Sequence, residues 1–276
     1  MIVTRFAPSP TGLLHLGHAF AAKVARDLAD GPGDRFLLRF EDIDRNRVRP
    51  EFYAGIEEDL KWLGFDWADT PLRQSERLKA YDQALDQLRE LGVLYPCFCT
   101  RREIEEEVAR IGAAPHGPEG PLYPGTCRHL TPAEREQRLA SGQVPAWRLD
   151  AKQARQKAGP LTFTDQQHGV TEVDPGLLGD VVLARKDIGN SYHLAVVVDD
   201  AHQGITHVTR GEDLLASTHV HRLLQSLLDL PEPQYLHHRL ITDEKGKRLA
   251  TRDKARSIRS LREAGRTPES LLAGFG

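Results

Sequence analysis

The first 28 residues allow few local arrangements. The chain opens MIVTRFAPSPTGLLHLGH, and Ile2, Thr4 and Phe6 alternate with Val3 and Arg5 as in a short strand. Pro8, Pro10 and Gly12 break that pattern. Ala21, Val24, Ala25 and Leu28 then recur at helical spacing. Strand, turn and helix in this order predict the first βα unit of a parallel sheet. Such a turn aims backbone N–H groups and a helix N-terminus at its ligand, an environment suited to phosphate. Between strand and helix stand His15, Gly17 and His18. Two histidines one turn apart add side-chain donors, and Gly17 lets a nucleotide approach the backbone. HxGH alone is as well explained by two surface histidines. Placed after a strand and a proline turn, it reads as a nucleotide site.

A chain of 276 residues accommodates one large domain with an insertion, or two domains. With 28% charged residues, no apolar run near 18 residues and no signal-like start, it is expected to be cytoplasmic, without membrane contact. A net charge of −3 argues against a general nucleic-acid binder. Residues 245–266 are locally rich in Lys and Arg, which suits either a phosphate backbone or a solvated helix face. Three cysteines argue against a disulfide framework.

Residues 35–40 (RFLLRF) predict a second strand, ending in Glu41. An acid at the C-terminal end of a parallel strand sits where α/β sheets bind ligands, and Glu41 matches an ammonium group. On composition alone, a solvated turn with an ordinary Asp–Arg pair is the better explanation. Pro50 opens a helix with Ile56, Leu60 and Leu63 on its buried face, ending at Gly64. Ser75 is read as the cap of a helix whose Leu78, Tyr81, Leu85 and Leu88 form a core stripe, ending at Gly92.

Cys97 and Cys99 precede a capping box, Thr100 to Glu103. A loop with eight Gly or Pro among residues 112–125 then returns to Cys127. This spacing has the form of a structural zinc site, with Tyr123, His116 and His129 as candidates for the fourth ligand. Unmetallated cysteines are the plain alternative. Thr131 and Glu134 form a second capping box, and residues 147–173 are strand-like with no assignable chemistry. Residues 180–184 are expected to rejoin the main sheet, and residues 187–190 to turn. Residues 192–200 fit a strand or a helix. A strand at 205–209 places Arg210 at its C-terminal end, where a guanidinium suits a carboxylate; an ordinary salt bridge is the alternative. Val220, Leu223, Leu224, Leu227 and Leu228 predict a helix, and residues 235–240 the last strand.

Residues 5–12 (RFAPSPTG) followed by His15-Leu-Gly-His18 resemble the N-terminal signature of class I aminoacyl-tRNA synthetases of the glutamyl/glutaminyl branch. The C-x-C…Y-x3-C pattern, and Val196 where many glutamyl enzymes carry asparagine, resemble the truncated glutamyl-Q tRNA(Asp) synthetases. The resemblance covers essentially the whole chain. It implies an α/β fold: a Rossmann-like catalytic domain in two halves, residues 1–95 and 180–276, around an inserted zinc-containing subdomain, 96–179. It implies a helix for 192–200 and no anticodon-binding domain. It implies glutamate bound by Arg5, Ser9, Glu41, Tyr192 and Arg210, with ATP against Pro8, Gly17, His18, Gly211, Glu212 and Lys247. His15, His18, Arg248 and Arg252 would carry catalysis, and Cys97, Cys99, Tyr123 and Cys127 would hold structural Zn²⁺. The family's loop of the form KMSKS is degenerate here, Arg248-Leu-Ala-Thr-Arg252, with Thr251 in place of the second lysine. Losing that cation would remove roughly 2–4 kcal/mol of transition-state stabilisation unless Lys247, Arg252 or Lys254 compensates.

The implied activity is tRNA-independent activation of L-glutamate by ATP with Mg²⁺, then transfer to the queuosine of tRNA(Asp), by a monomer. Two other readings stand beside it: a small-molecule nucleotidyltransferase sharing HxGH, and a non-catalytic paralogue binding RNA or adenylate, which Thr251 favours.

Overall fold

The N-terminal pattern folds as an alternating unit: β1 (Val3–Phe6), α1 (Leu16–Leu28), β2 (Arg35–Phe40), α2 (Pro50–Trp62) and β3 (Ala68–Arg73). β2 pairs in parallel with both β1 and β3. The chain continues through α3 (Leu78–Glu90), β4 (Leu94–Cys97), α4 (Arg101–Ile111), β5 (His116–Gly117), β6 (Gly120–Pro121) and α5 (Pro132–Ala140). Next come β7 (Ala146–Leu149), α6 (Ala151–Ala158), β8 (Thr162–Asp165), β9 (Gly169–Glu172), β10 (Val182–Arg185) and β11 (Gly189–Asn190). The last part holds α7 (Tyr192–His202), β12 (His207–Gly211), α8 (Leu215–Leu227), β13 (Gln234–His238), α9 (Ile258–Glu263) and α10 (Pro268–Leu272). This structure, a computed structural model, describes residues 1–111, 116–117, 120–187, 189–242 and 257–275.

β12, β13 and β8 form a second parallel set, edged by antiparallel β9. β1 and β12 lie side by side, joined where Thr206 N–H donates to the Val3 carbonyl (3.0 Å) and Val3 N–H to Thr206 Oγ1 (2.8 Å). The chain leaves β1 toward β2 and leaves β12 toward β13, so a topological switch point lies between β1 and β12. Open α/β sheets bind ligands at the carboxyl ends of such strands. β2 is buried on both faces, as parallel strands are. Phe36, Leu38 and Phe40 pack with Phe6 against α1, α2, α9 and α10, while Val3 and Leu37 join Phe163, Val208 and Tyr235.

β11, β10, β7 and β4 make a separate antiparallel sheet, with Pro96 on its edge strand β4, where a missing N–H is tolerated. This corrects two expectations. Residues 180–184 do not rejoin the parallel sheet, because β10 pairs with β7. The strand that does join it is β8, within the supposed insertion. An apolar run cannot say which sheet receives it. Ser75 is also corrected: the N-cap of α3 is Arg77, and Ser75 instead donates its hydroxyl (2.7 Å) and its N–H (2.7 Å) to Asp42. The capping boxes at Thr100 and Thr131 form as expected. Residues 192–200 are helical, within α7.

Candidate active site

His15 caps α1. Its Nδ1 accepts from the Gly17 N–H (3.1 Å), while His18 Nδ1 accepts from the His15 N–H (3.2 Å). The two histidines thus build a capping box from their own side chains, and their rings stack with centroids 3.8 Å apart. A Cβ at Gly17 would meet the His15 ring at 3.0 Å. A side chain here would press on the neighbouring ring. Residues just beyond 243–256 dock against the same turn: His15 bridges Ser257, and Ile258 N–H donates to the Leu14 carbonyl (2.8 Å).

His15, Gly17 and His18 line one wall of a cavity of about 630 Å³ at the switch point, a volume suited to a small ligand. Arg5, Glu41, Tyr192, Arg210 and Gly211 line it too. At Gly211 a Cβ would lie 2.5 Å from Asp213 Oδ1 and 2.7 Å from Leu240, so a side chain there would displace the ends of both.

Arg5 and Arg210 reach the cavity from adjacent strands but are held differently. Arg5 makes a bidentate pair with Asp200 of α7 (Nε–Oδ1 2.8 Å, Nη2–Oδ2 3.2 Å) and donates to the Thr209 carbonyl (3.2 Å). Arg39, fully buried in β2, shares Asp200 Oδ1 (2.7 Å), donates to Gln203 (3.1 Å) and lies 3.6 Å from Glu41 Oε1. Burial pushes the Asp200 carboxyl up, but Arg5 and Arg39 hold it below the usual carboxylate range. Burial dominates at Glu41, whose carboxyl is raised although Arg39 and Arg5 oppose the shift. A substrate ammonium would restore its charge.

Arg210 donates from Nε to His237 Nε2 (3.1 Å), from Nη1 to His221 Nδ1 (2.9 Å) and from Nη2 to Thr218 Oγ1. All three acceptors are uncharged. Among the described residues, no carboxylate lies within ion-pair distance of this guanidinium. Burial, followed by the field of Arg210, lowers His237 to about 4 and keeps His221 well below its ordinary value. Burial pushes the Tyr192 hydroxyl up, with Arg210 opposing.

Some expected residues do not line the cavity. Ser9 is exposed; Pro8 is buried, its carbonyl accepting from the Glu41 N–H (3.0 Å). Glu212 is exposed, although its neighbours Gly211 and Asp213 line the wall. Val196 packs in the core. Lys247, Arg248, Thr251, Arg252 and Lys254 lie outside the described residues. The residues not anticipated are Arg39, Asp200, Thr218, His221 and His237 around the two arginines, and Thr11, Arg47 and Arg239, which also line the cavity. Two signals were present in the sequence: an arginine inside the apolar run RFLLRF, and paired acids closing an apolar helix at Asp199 and Asp200.

A second cluster lies at the end of β4. The sulfurs of Cys97, Cys99 and Cys127 lie within 4.8 Å of one another. Tyr123 Oη approaches Cys97 (3.4 Å) and Cys99 (3.5 Å) and accepts from the Cys127 N–H (2.9 Å). Three sulfurs and one phenol oxygen match the four-coordinate donor set of a closed metal site. Hydrogen bonds from Cys97 and from the Phe98 N–H pull the Cys127 thiol down to about 6 against burial. The Arg148 guanidinium sits 3.8 Å above the Tyr123 ring, but burial and the hydrogen bonds with Cys97 and Cys99 push the Tyr123 hydroxyl well up, so phenolate would form only with a bound metal. His129 is exposed and outside the cluster, and the His116 side chain lies outside the described residues.

Residues 1–276 match the family described as tRNA synthetases class I (E and Q), catalytic domain. The chain belongs to this family. This synthetase is therefore a ligase of the class I aminoacyl-tRNA type. It is 49% identical to the glutamyl-Q tRNA(Asp) synthetase of Rhodobacter capsulatus across the full length of both chains. It is 41% identical to the glutamate–tRNA ligase of Aquifex aeolicus, covering 98% of this chain and 56% of that one. A crystal structure of a glutamate tRNA ligase from Elizabethkingia meningosepticum, in complex with its amino acid, superposes with a TM-score of 0.81 at 29% identity, over 99% of this chain and 60% of that chain. The expected resemblance to the glutamyl-Q tRNA(Asp) synthetases is borne out. Among the described residues, no helix is long and apolar enough to cross a membrane.

Proposed function

We propose that this synthetase activates L-glutamate with ATP and transfers it to the queuosine base of tRNA(Asp). The observation that carries the reading is Arg210, a buried cation with neutral partners, sharing a cavity with the partly buried carboxyl of Glu41. One binds the side-chain carboxylate and the other the amino group, and Arg5 and Tyr192 border the same space. His15 and His18 stand beside it to stabilise the phosphorus attacked in line by the α-carboxylate. The step needs no enzyme nucleophile; it rests on positioning and charge stabilisation. Mg²⁺ bound with ATP would supply positive charge for the leaving pyrophosphate, and Lys247, Arg248 and Arg252 are proposed to add to it. The full-length match to an enzyme named for tRNA(Asp) supports the acceptor.

The cysteine cluster is proposed as a structural zinc site with Tyr123 as fourth ligand, and metal analysis is expected to find one zinc per chain, lost in Cys99→Ser. The acceptor is tested by incubating the protein with ATP, labelled glutamate and tRNA(Asp) with or without queuosine. Label in the anticodon fragment of the modified tRNA alone is expected. Robust charging of unmodified tRNA(Glu) would contradict the proposal.

A further inference from the structure

Arginine can only donate hydrogen bonds, so Arg210 dictates the polarity of everything around it. In the parallel register of β12 and β13, Arg210 lies directly opposite His237. Because His237 Nε2 accepts from Arg210, its proton sits on Nδ1, which points at Asp165 Oδ2 (2.6 Å) at the end of β8. Asp165 is itself fixed by the N–H groups of Gln167 (2.8 Å), His168 (2.9 Å) and His237 (3.1 Å). On the other side, His221 Nδ1 accepts from Arg210, so its proton sits on Nε2, 3.1 Å from His193 Nδ1. Thr218 Oγ1 closes the third side. Two elements, β13 and α8, thus present three uncharged acceptors to one buried cation, with Asp165 of β8 and His193 of α7 behind the two imidazoles.

We propose that Asp165, His237 and His221 are positioning residues that hold Arg210 in place without neutralising it, and that this withheld counter-charge is what makes the site select a carboxylate over an amide. The inference rests on Arg210 being the reader of the substrate side chain. A glutamate side chain supplies the charge that the cradle lacks; a glutamine side chain leaves Arg210 buried without it. The groups facing the cradle are Arg5, Glu41 and Tyr192 on the cavity side, His193 beyond His221, and His168, whose ring lies 6.2 Å from that of His237. Burial and the Arg210 field lower His193 to about 4, as they do His237, so the rings stay neutral across the physiological range. The Asp165 carboxylate, which against burial is held low by hydrogen bonds from His237 and nearby N–H groups, is kept off Arg210 by the intervening imidazole.

Two substitutions at one position separate charge from shape. His221→Gln keeps an uncharged acceptor for Nη1; His221→Glu puts a carboxylate there. Both are compared with the wild type by ATP–pyrophosphate exchange with glutamate and with glutamine. His221→Glu is expected to lower kcat/KM for glutamate by about 100-fold or more, mainly through KM, and to erase the preference over glutamine. His221→Gln is expected to retain the preference to within about threefold. Equal behaviour of the two variants in active, folded protein would overturn the inference. A wild type that exchanges with no amino acid would instead defeat the function proposed above. The cradle is then judged by nitrogen NMR of the ring-labelled histidines: His237 protonated on Nδ1 and His221 on Nε2, both neutral at pH 6.5, is the expected result. The opposite tautomer or an imidazolium at either position would refute it.

Discussion

Arg5 and Arg210 are both buried, both at the carboxyl ends of neighbouring strands, and both in the wall of one cavity. Arg5 meets a carboxylate that it shares with Arg39, so its charge is answered within the fold. Arg210 meets two histidines and a threonine, so its charge is left for the ligand. A buried ion pair gives little net stability, but a buried cation without its anion is costly unless a partner arrives. The contrast separates the arginine that holds the site together from the arginine that reads the substrate.

The largest expected effect is at the reader. Arg210→Gln should leave thermal stability close to wild type but reduce kcat/KM for glutamate by roughly 100- to 10,000-fold, as loss of one desolvated charge contact does. The assay is pyrophosphate exchange beside a thermal melt. A stability collapse with unchanged residual kinetics would reverse the roles assigned to the two arginines. Next comes the holder. Asp200→Asn leaves Arg5 and Arg39 facing an amide, and chemical denaturation should show a loss of about 3–5 kcal/mol. Little change would mean that Glu41 and Gln203 suffice for the pair.

The smallest effect comes from the inverse case, a buried anion without a cation. Asp59 of α2 is fully buried, neither of its side-chain oxygens has a hydrogen-bond partner, and burial raises it to about 6 despite Arg262 and Arg259 nearby. Unlike arginine, it can escape its charge by protonation. Between the ordinary carboxylate value and about 6, the native state holds a proton that the unfolded chain has released, so stability falls as pH rises through that window. Asp59→Asn should therefore stabilise the fold by roughly 1–3 kcal/mol at pH 8, with the gain fading toward pH 4. A gain independent of pH would point to packing instead.

Legibility in the sequence followed the range of the interaction. The βα turn, the helix stops at Gly64 and Gly92 and both threonine capping boxes depend on residues within a few positions, and they form as read. Arg5, Glu41, Tyr192 and Arg210 were named from a motif resemblance, and the structure brings them to one cavity. What surrounds them was not legible. Asp200 reaches Arg5 across 195 positions and Asp165 reaches His237 across 72, distances at which no periodicity speaks. The same limit explains β10, expected in the parallel sheet but paired with β7, and β8, which joins β13 there instead. Ser75 carried the signature of a cap, but the tertiary partner Asp42 claimed it.

The central claim is that a counter-charge withheld from Arg210 selects glutamate before any RNA is present. It is tested most directly by ATP–pyrophosphate exchange with purified wild-type protein and no tRNA, comparing glutamate, glutamine and aspartate. Exchange with glutamate is expected, with a kcat/KM for glutamine lower by about 100-fold or more and little exchange with aspartate, whose side chain is one methylene shorter. Comparable exchange with glutamine, or none with glutamate from protein shown to be folded, would contradict it.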